Sequence, residues 1–296
     1  ADLQAPAATA AAGAAVPGAR LRAERPVMML TGVGLLGLVT LAAILAPLLA
    51  AHSPTAESGL ALERPSATHW FGTDIPGRDL FAQLVYGARS SISVALLAGS
   101  LAMVGAILAG VLPGLVGGVV DTLSTRTMVF LLALPGLPLI VLVGTLAGQS
   151  RIAIIFLIAF LGVAPNARIL RSQTLSLRQR GFITAARGFG GGPLYVLRRH
   201  LVPGIGPLVV IGFVNWAGVA IGLEAGLTFL GLGDPTGVSW GLTLNRALSV
   251  QGIFFIPMWT WWILPAGLGI TAAVLGFTFL GVALEPRFNP RWLRSS

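Results

Sequence analysis

Apolar residues are gathered along this chain into long blocks. Six blocks approach the roughly 20 residues that a helix needs to cross a hydrocarbon core, at about 27–50, 91–112, 127–148, 152–170, 207–231 and 258–283. Six crossings put both termini on one side. The expected layout of this all-α integral membrane protein is a flexible tail over 1–25, a first transmembrane helix over 26–50 and an extracytoplasmic segment over 51–90. A transmembrane core follows over 91–284, interrupted by a long loop over 171–206, with a tail over 285–296. The opening residues are Ala-rich with scattered Gly and Pro, too poor in large apolar side chains to fold alone. Arg20, Arg22 and Arg25 before an apolar run outline a signal peptide, but the run exceeds the about 7–15 residues of a signal h-region, so an uncleaved crossing is expected.

Composition agrees with the blocks: 55% of residues are hydrophobic and 10% charged, against about 25% charged in soluble domains, and the mean hydropathy is +0.86. Orientation follows from the 19 basic residues, all of them Arg. With the N-terminus inside, 14 of the 19 fall on cytoplasmic segments, as the positive-inside rule requires. The other five, Arg64, Arg78, Arg89, Arg151 and Arg246, are matched by Glu57, Glu63, Asp74, Asp79 and Asp234. The net charge of +9 is therefore a matter of topology and anionic lipid, and no motif for nucleic acid accompanies it. With Cys at 0, disulfides, thiolate metal sites and cysteine catalysis are excluded. His52 and His69 lack an acidic cage for a metal. No Ser/His/Asp set, carboxylate pair or metalloprotease helix points to an enzyme.

Glycines recur every four residues at Gly110, Gly114 and Gly118 and at Gly218, Gly222 and Gly226, a spacing for close helix packing. Glu224 lies on the opposite side of its helix from the second series. A carboxylate at membrane depth faces protein or water, so this helix is expected to be enclosed on two sides. Glu224 would be either a structural hydrogen-bonding group or the centre of an ion-coupled carrier. Asn166, Asn215 and Trp216 are polar candidates for lining a passage.

The loop 171–206 is too long and too patterned for a linker. Phe182, Ala185, Ala186 and Phe189 form one stripe on a short helix, flanked by Arg178, Arg180 and Arg187. Gly190, Gly191 and Gly192 then break the helix, and Pro193 can open a second one, striped by Leu194, Leu197 and Leu201 and expected to end at Pro203. Such a basic helix with a narrow apolar face suits a lipid surface or a groove on another protein. In the segment 51–90, Asp74 and Arg78 stand at i, i+4 and can pair on a helical turn, while Gly72, Pro76 and Gly77 shape a turn.

Thr184-Ala185-Ala186-Arg187-Gly188, then Gly190 and Pro203, resembles the coupling loop of ABC importer permeases, with Thr184 where the family's first Glu stands. Phe71-Gly72-Thr73-Asp74, Gly77-Arg78-Asp79 and Tyr86-Gly87-Ala88-Arg89-Ser90-Ser91 resemble the signature that follows the first crossing in the C-type permease subunits of dipeptide, oligopeptide and nickel importers. Leu227 to Gly233 with Ser239-Trp240-Gly241, and Leu284-Glu285-Pro286-Arg287, are similar to later motifs of that family. The resemblance implies a type I ABC importer permease fold whose cytoplasmic coupling helix docks on an ATPase. It also implies a homologous B-type permease beside the chain, two ATPase subunits or domains holding ATP and Mg, and an extracytoplasmic substrate-binding protein, in a bacterial inner membrane with both termini cytoplasmic. No cofactor is expected in this chain, which has no phosphate-binding loop of its own. The cargo, a dipeptide, an oligopeptide, nickel or another small solute, is left open.

Overall fold

The computed structural model describes residues 17–146 and 148–288. Among them the regular structure is helical, apart from two isolated bridges, Glu57 with Arg78 and Thr73 with Asp79. Most of the expected tail over 1–25 and the residues beyond 288 lie outside the described residues. Helix α1 (Pro17–Leu49) begins inside that expected tail. Five helical stretches are long and apolar enough to cross a membrane: Pro26–Leu49, Leu80–Val116, Arg151–Arg178, Leu197–Phe229 and Trp259–Glu285.

The expected crossing at 127–148 is not one straight helix. It is a bent pair, α4 (Gly118–Ala133) and α5 (Gly136–Leu146), with an angle of 91° at the break. Leu134 between them is extended, with φ −69 and ψ 135, because the ring of Pro135 pushes the preceding residue out of the helical region. Hydropathy alone cannot register such a break, since every residue around it is apolar.

Helix α2 (Leu80–Ala106) starts well before residue 91, capped by Asp79, whose carboxylate accepts from the Phe81 amide. It runs on through a π-turn (Ile107–Val111) into α3 (Leu112–Val116) and stops at Gly117, whose φ of +76 belongs to the left-handed region. Helix α6 (Arg151–Arg178) passes through Pro165 and extends into the expected loop. After α7 (Gly181–Gly188) and α8 (Pro193–Val196), a second π-turn (Leu197–Leu201) leads without interruption into α9 (Val202–Phe229). Pro203 therefore does not end a helix. It sits in the first turn of α9, and the π-turn before it relieves the crowding its ring imposes upstream. Helices α10 (Trp240–Leu248) and α11 (Trp259–Phe288) complete the chain.

α2 is the central helix, packed on α6, α9 and α1, while α11 fills the space between α1 and α9. Lipid is as apolar as leucine, so helix association in a membrane rests on close packing more than on apolar burial. Small residues provide it: Gly162 on α6 faces Ala102 and the Trp216 indole, and Gly99 on α2 faces the Phe213 ring. The glycine series are only partly used in this way. Gly110 and Gly114 meet Ala167 and Thr174 on α6, and Gly218 meets Phe277 on α11, but Gly118, Gly222 and Gly226 have open space beside them. Gly118 falls beyond the break at Gly117 and so belongs to a different face.

Two arginines expected simply to mark the cytoplasmic side are tied into the bundle. Arg171 makes a bidentate pair with Asp121 of α4, Nε to Oδ1 at 2.6 Å and an η nitrogen to Oδ2 at 2.7 Å. Arg178 donates to the Gly114 carbonyl, which the helix end at Gly117 leaves without a full set of intrahelical partners.

Candidate functional site

Chemistry-bearing residues collect at the two ends of the bundle. At one end stands α7, whose backbone is closed by a glycine cap: the Gly191 amide donates to Ala186 O at 2.8 Å, with Gly190 at φ +85. This six-to-one bond around a left-handed residue is the Schellman arrangement, so Gly190 is where the helix needs a residue without Cβ. The stripe found in the sequence points away from the protein, with Phe189 92% and Phe182 47% exposed. The anchoring residue is one the stripe missed. Ile183 is 0% exposed and packs in a cluster with Met103, Leu177, Val196 and Leu201, drawn from α2, α6, α8 and the second π-turn. His200 stands between the Phe182 and Tyr195 rings, at 5.4 and 5.8 Å between centroids. Thr184 and Arg187 belong to the same helix, but their side chains lie outside the described residues. Ala185 and Gly188 are exposed, and Ala186 is half-buried.

At the other end, residues 51–79 form a compact apron over the start of α2. Asp74 is 1% exposed and accepts from the Arg78 amide, from Arg78 Nε and from Gln83 Nε2, each at 2.8 Å. The Asp74–Arg78 pair expected at the surface of a helical turn is thus a buried pair inside a non-helical turn, where Gly77 has φ +85. A Cβ on Gly72, at φ +70, would run into the Glu63 carbonyl. Thr73 Oγ1 accepts from the Glu63 amide at 2.9 Å and donates to Leu60 O. Asp79 caps α2 and also meets His52 Nδ1 at 3.2 Å. Phe71 packs edge-on against Phe81 at 5.6 Å. All seven motif residues, Phe71 to Asp74 and Gly77 to Asp79, serve the internal architecture of this apron. His52 and His69 stack at 4.8 Å, and among the described residues no cluster of His, Cys, Asp or Glu is placed to hold a metal.

Two cavities lie between these ends. One, of about 660 Å³, opens towards the apron end and is lined by Arg89, Arg151, Glu224 and Asp234 among others. Glu224 is 3% exposed and accepts from Ser91 Oγ on α2 at 3.1 Å. Its face of α9 is enclosed as expected, whereas the face carrying Gly222 and Gly226 is open. The other cavity, of about 580 Å³, is a groove between α6 and α9 nearer α7. It brings together Asn166, Asn215 and Trp216, and adds Ser172, Gln173 and Ser176 of α6. The signal for those three was present in the i, i+7 spacing of Asn166 and Gln173, on a helix the hydropathy reading ended too early. Asn166 Nδ2 bonds Gly162 O of its own helix at 2.8 Å, while Trp216 Nε1 bonds Ile158 O at 3.3 Å and so also ties α9 to α6.

On the loop at the apron end, Thr236 donates from its hydroxyl and its amide to Asp234, which holds that carboxyl below its ordinary range. Burial lowers the Arg246 guanidinium on α10 from its usual value.

Residues 105–294 match the family described as binding-protein-dependent transport system inner membrane component. The chain is 36% identical over 259 residues to the dipeptide transport system permease protein DppC of Alkalihalophilus pseudofirmus, covering 85% of this chain and 82% of the relative. It is 30% identical over 277 residues to the dipeptide transport system permease protein DppC of Bacillus subtilis, covering 92% and 85%. It is also 33% identical over 230 residues to the glutathione transport system permease protein GsiD of Pectobacterium atrosepticum, covering 77% and 75%. With these matches the ion-coupled carrier reading loses its support. The long apolar helices and the matched family together identify a multi-pass membrane protein, and the chain belongs to the binding-protein-dependent inner membrane components, the permease subunits of ABC importers.

Proposed function

We propose that this chain is one of two permease halves of a peptide importer and that α7 is the coupling helix on which an ATPase subunit acts. The observation that carries the reading is the build of α7, which offers an exposed Phe182–Phe189 stripe outward while Ile183 roots it in a core shared with α2, α6 and α8. A push on the exposed face is passed to helices that line the 580 Å³ groove, since packed cores switch between discrete arrangements rather than deform continuously. The α7 end is then cytoplasmic, with both termini on that side, and the apron faces a substrate-binding protein. ATP and Mg belong to two ATPase subunits or domains, and a homologous B-type permease closes the pathway. The peptide cargo rests on the names of the relatives, two dipeptide permeases and one glutathione permease.

The test is Gly190→Val in the assembled transporter, reconstituted with its binding protein. A β-branched residue at φ +85 strains the cap without steric collision, as the space beside Gly190 is open. ATP hydrolysis is expected to persist while uptake of labelled dipeptide falls at least about tenfold, equivalent to roughly 1.4 kcal/mol of coupling. Unchanged uptake would remove α7 from the coupling path.

A further inference from the structure

The cavity at the apron end gathers four charged side chains. Arg89 and Arg151 line it together with Glu224 and Asp234, so its formal charge sums to zero, yet none of the four belongs to an ion pair among the described residues. Arg151, at the start of α6, is held in place by donating to Ser93 Oγ and to Ser90 O on α2. A guanidinium has five donors, so this leaves donors free for a guest. Arg89 is exposed on the same helix. Glu224 is deeper, about one and a half turns inside the end of α9, and Ser91 with the neighbouring Ser239 takes up only part of the roughly four acceptor positions of its carboxylate. A buried carboxyl group and guanidinium groups that face one cavity gain from a guest of matching charges. Between them the walls combine apolar side chains, Val94, Leu97 and Ile155, with the hydroxyl-bearing Tyr86, Thr228 and Ser239.

From this arrangement we infer that the cavity is a transit site for a short peptide zwitterion, with the peptide carboxylate on Arg89 and Arg151 and its ammonium on Glu224. The volume of about 660 Å³ falls within the range of small-molecule sites, about 300–1,000 Å³. The ends of an extended dipeptide lie about 7 Å apart, short enough for both to lie within a cavity of this size. The permease itself thereby checks that both termini of its cargo are free. A bare divalent cation would satisfy Glu224 and leave the arginines facing a like charge. This inference rests on the peptide reading above and adds to it a site within this chain.

The assembled transporter provides the test. The chain has Cys 0, so Ser90→Cys places a single thiol in this subunit on the cavity wall, and its maleimide labelling is read as a mass shift of this chain. Free dialanine is expected to slow labelling at least about tenfold, while N-acetyl-dialanine amide at the same concentration leaves it unchanged. Adding Glu224→Gln should abolish protection by the free dipeptide. Arg89→Gln, at an exposed position where packing is not at stake, should weaken protection about tenfold, the order expected for losing one charged hydrogen-bond partner. Equal protection by free and blocked peptides, protection by neither, or protection by nickel ions alone would each overturn the inference. A transporter that moves labelled dipeptide yet shows no such protection sinks only this site, whereas one that moves no peptide sinks the proposed function.

Discussion

The apron and the α7 segment are both short, motif-bearing pieces outside the long helices, and they use their motifs in opposite ways. In the apron an irregular backbone turns its motif inward: Asp74, Thr73 and Asp79 are each at most 3% exposed and fully engaged with neighbours. In α7 a regular helix turns its aromatic stripe outward, with Phe182 47% and Phe189 92% exposed, and uses Ile183, which belongs to neither stripe nor motif, as the anchor. Recurring residue patterns can thus specify a shape or present a surface. Which one is meant is legible only from what the side chains touch.

The comparison breaks most visibly at Asp74. Asp74→Ala would leave the Arg78 guanidinium and the Gln83 amide without their shared acceptor in a buried turn, a class of change that costs about 3–5 kcal/mol. A lower thermal unfolding midpoint in detergent and poor membrane yield are expected. A normal midpoint would mean the apron is held by something other than its motif. Ile183→Ala should come next, at about 2–5 kcal/mol for emptying a fully buried aliphatic site, and should lower both the midpoint and dipeptide uptake because it loosens the base of α7. Phe189→Asp sharpens the contrast. At so exposed a position its effect on the midpoint should stay within about 0.5 kcal/mol, while uptake should collapse and the detergent-purified chain should lose its ATPase partner. If the midpoint falls as much as uptake, α7 is structural like the apron.

The smallest expected effect concerns pH. Asp234 has a depressed carboxyl in the folded protein, held down first by the Thr236 hydroxyl. Its contribution is therefore present above the unfolded carboxylate value of about 3.9 and is lost only as pH falls through the lower folded value. Hydrogen exchange of the 234–237 turn, corrected for intrinsic rates, should stay flat from about pH 5 to 8 and rise only below about pH 4. A transition near neutrality would point to a different group controlling that loop.

Much of this arrangement was readable from local chemistry. Long apolar runs must be helices in lipid because each backbone group has to be satisfied within its own segment, and this is why five of the six expected crossings stand as continuous helices. The helix-breaking role of Gly190 and the turn-forming role of Gly72 and Gly77 were also visible, because few other residues tolerate positive φ. Pro135 and Pro203 were harder. Both lie in apolar surroundings, yet one bends a crossing through 91° and the other is absorbed into α9 behind a π-turn. Proline restricts only its own neighbourhood, and whether the chain continues depends on the packing around it.

The amino-acid sequence by itself determined that this chain lives in a membrane, how many times its apolar blocks can cross, where α7 must end and to which kind of permease it is related. Those properties follow from composition, spacing and backbone sterics within a few residues. Only the tertiary structure decided that Arg171 pairs with Asp121 across 50 residues, that Glu224 meets Ser91 across 133, and that Arg89 and Arg151 line one cavity with Glu224 and Asp234. A side chain's partner is set by which helix faces pack together, and that choice is made by the small residues and glycines of the whole bundle rather than by the neighbours of any one charge.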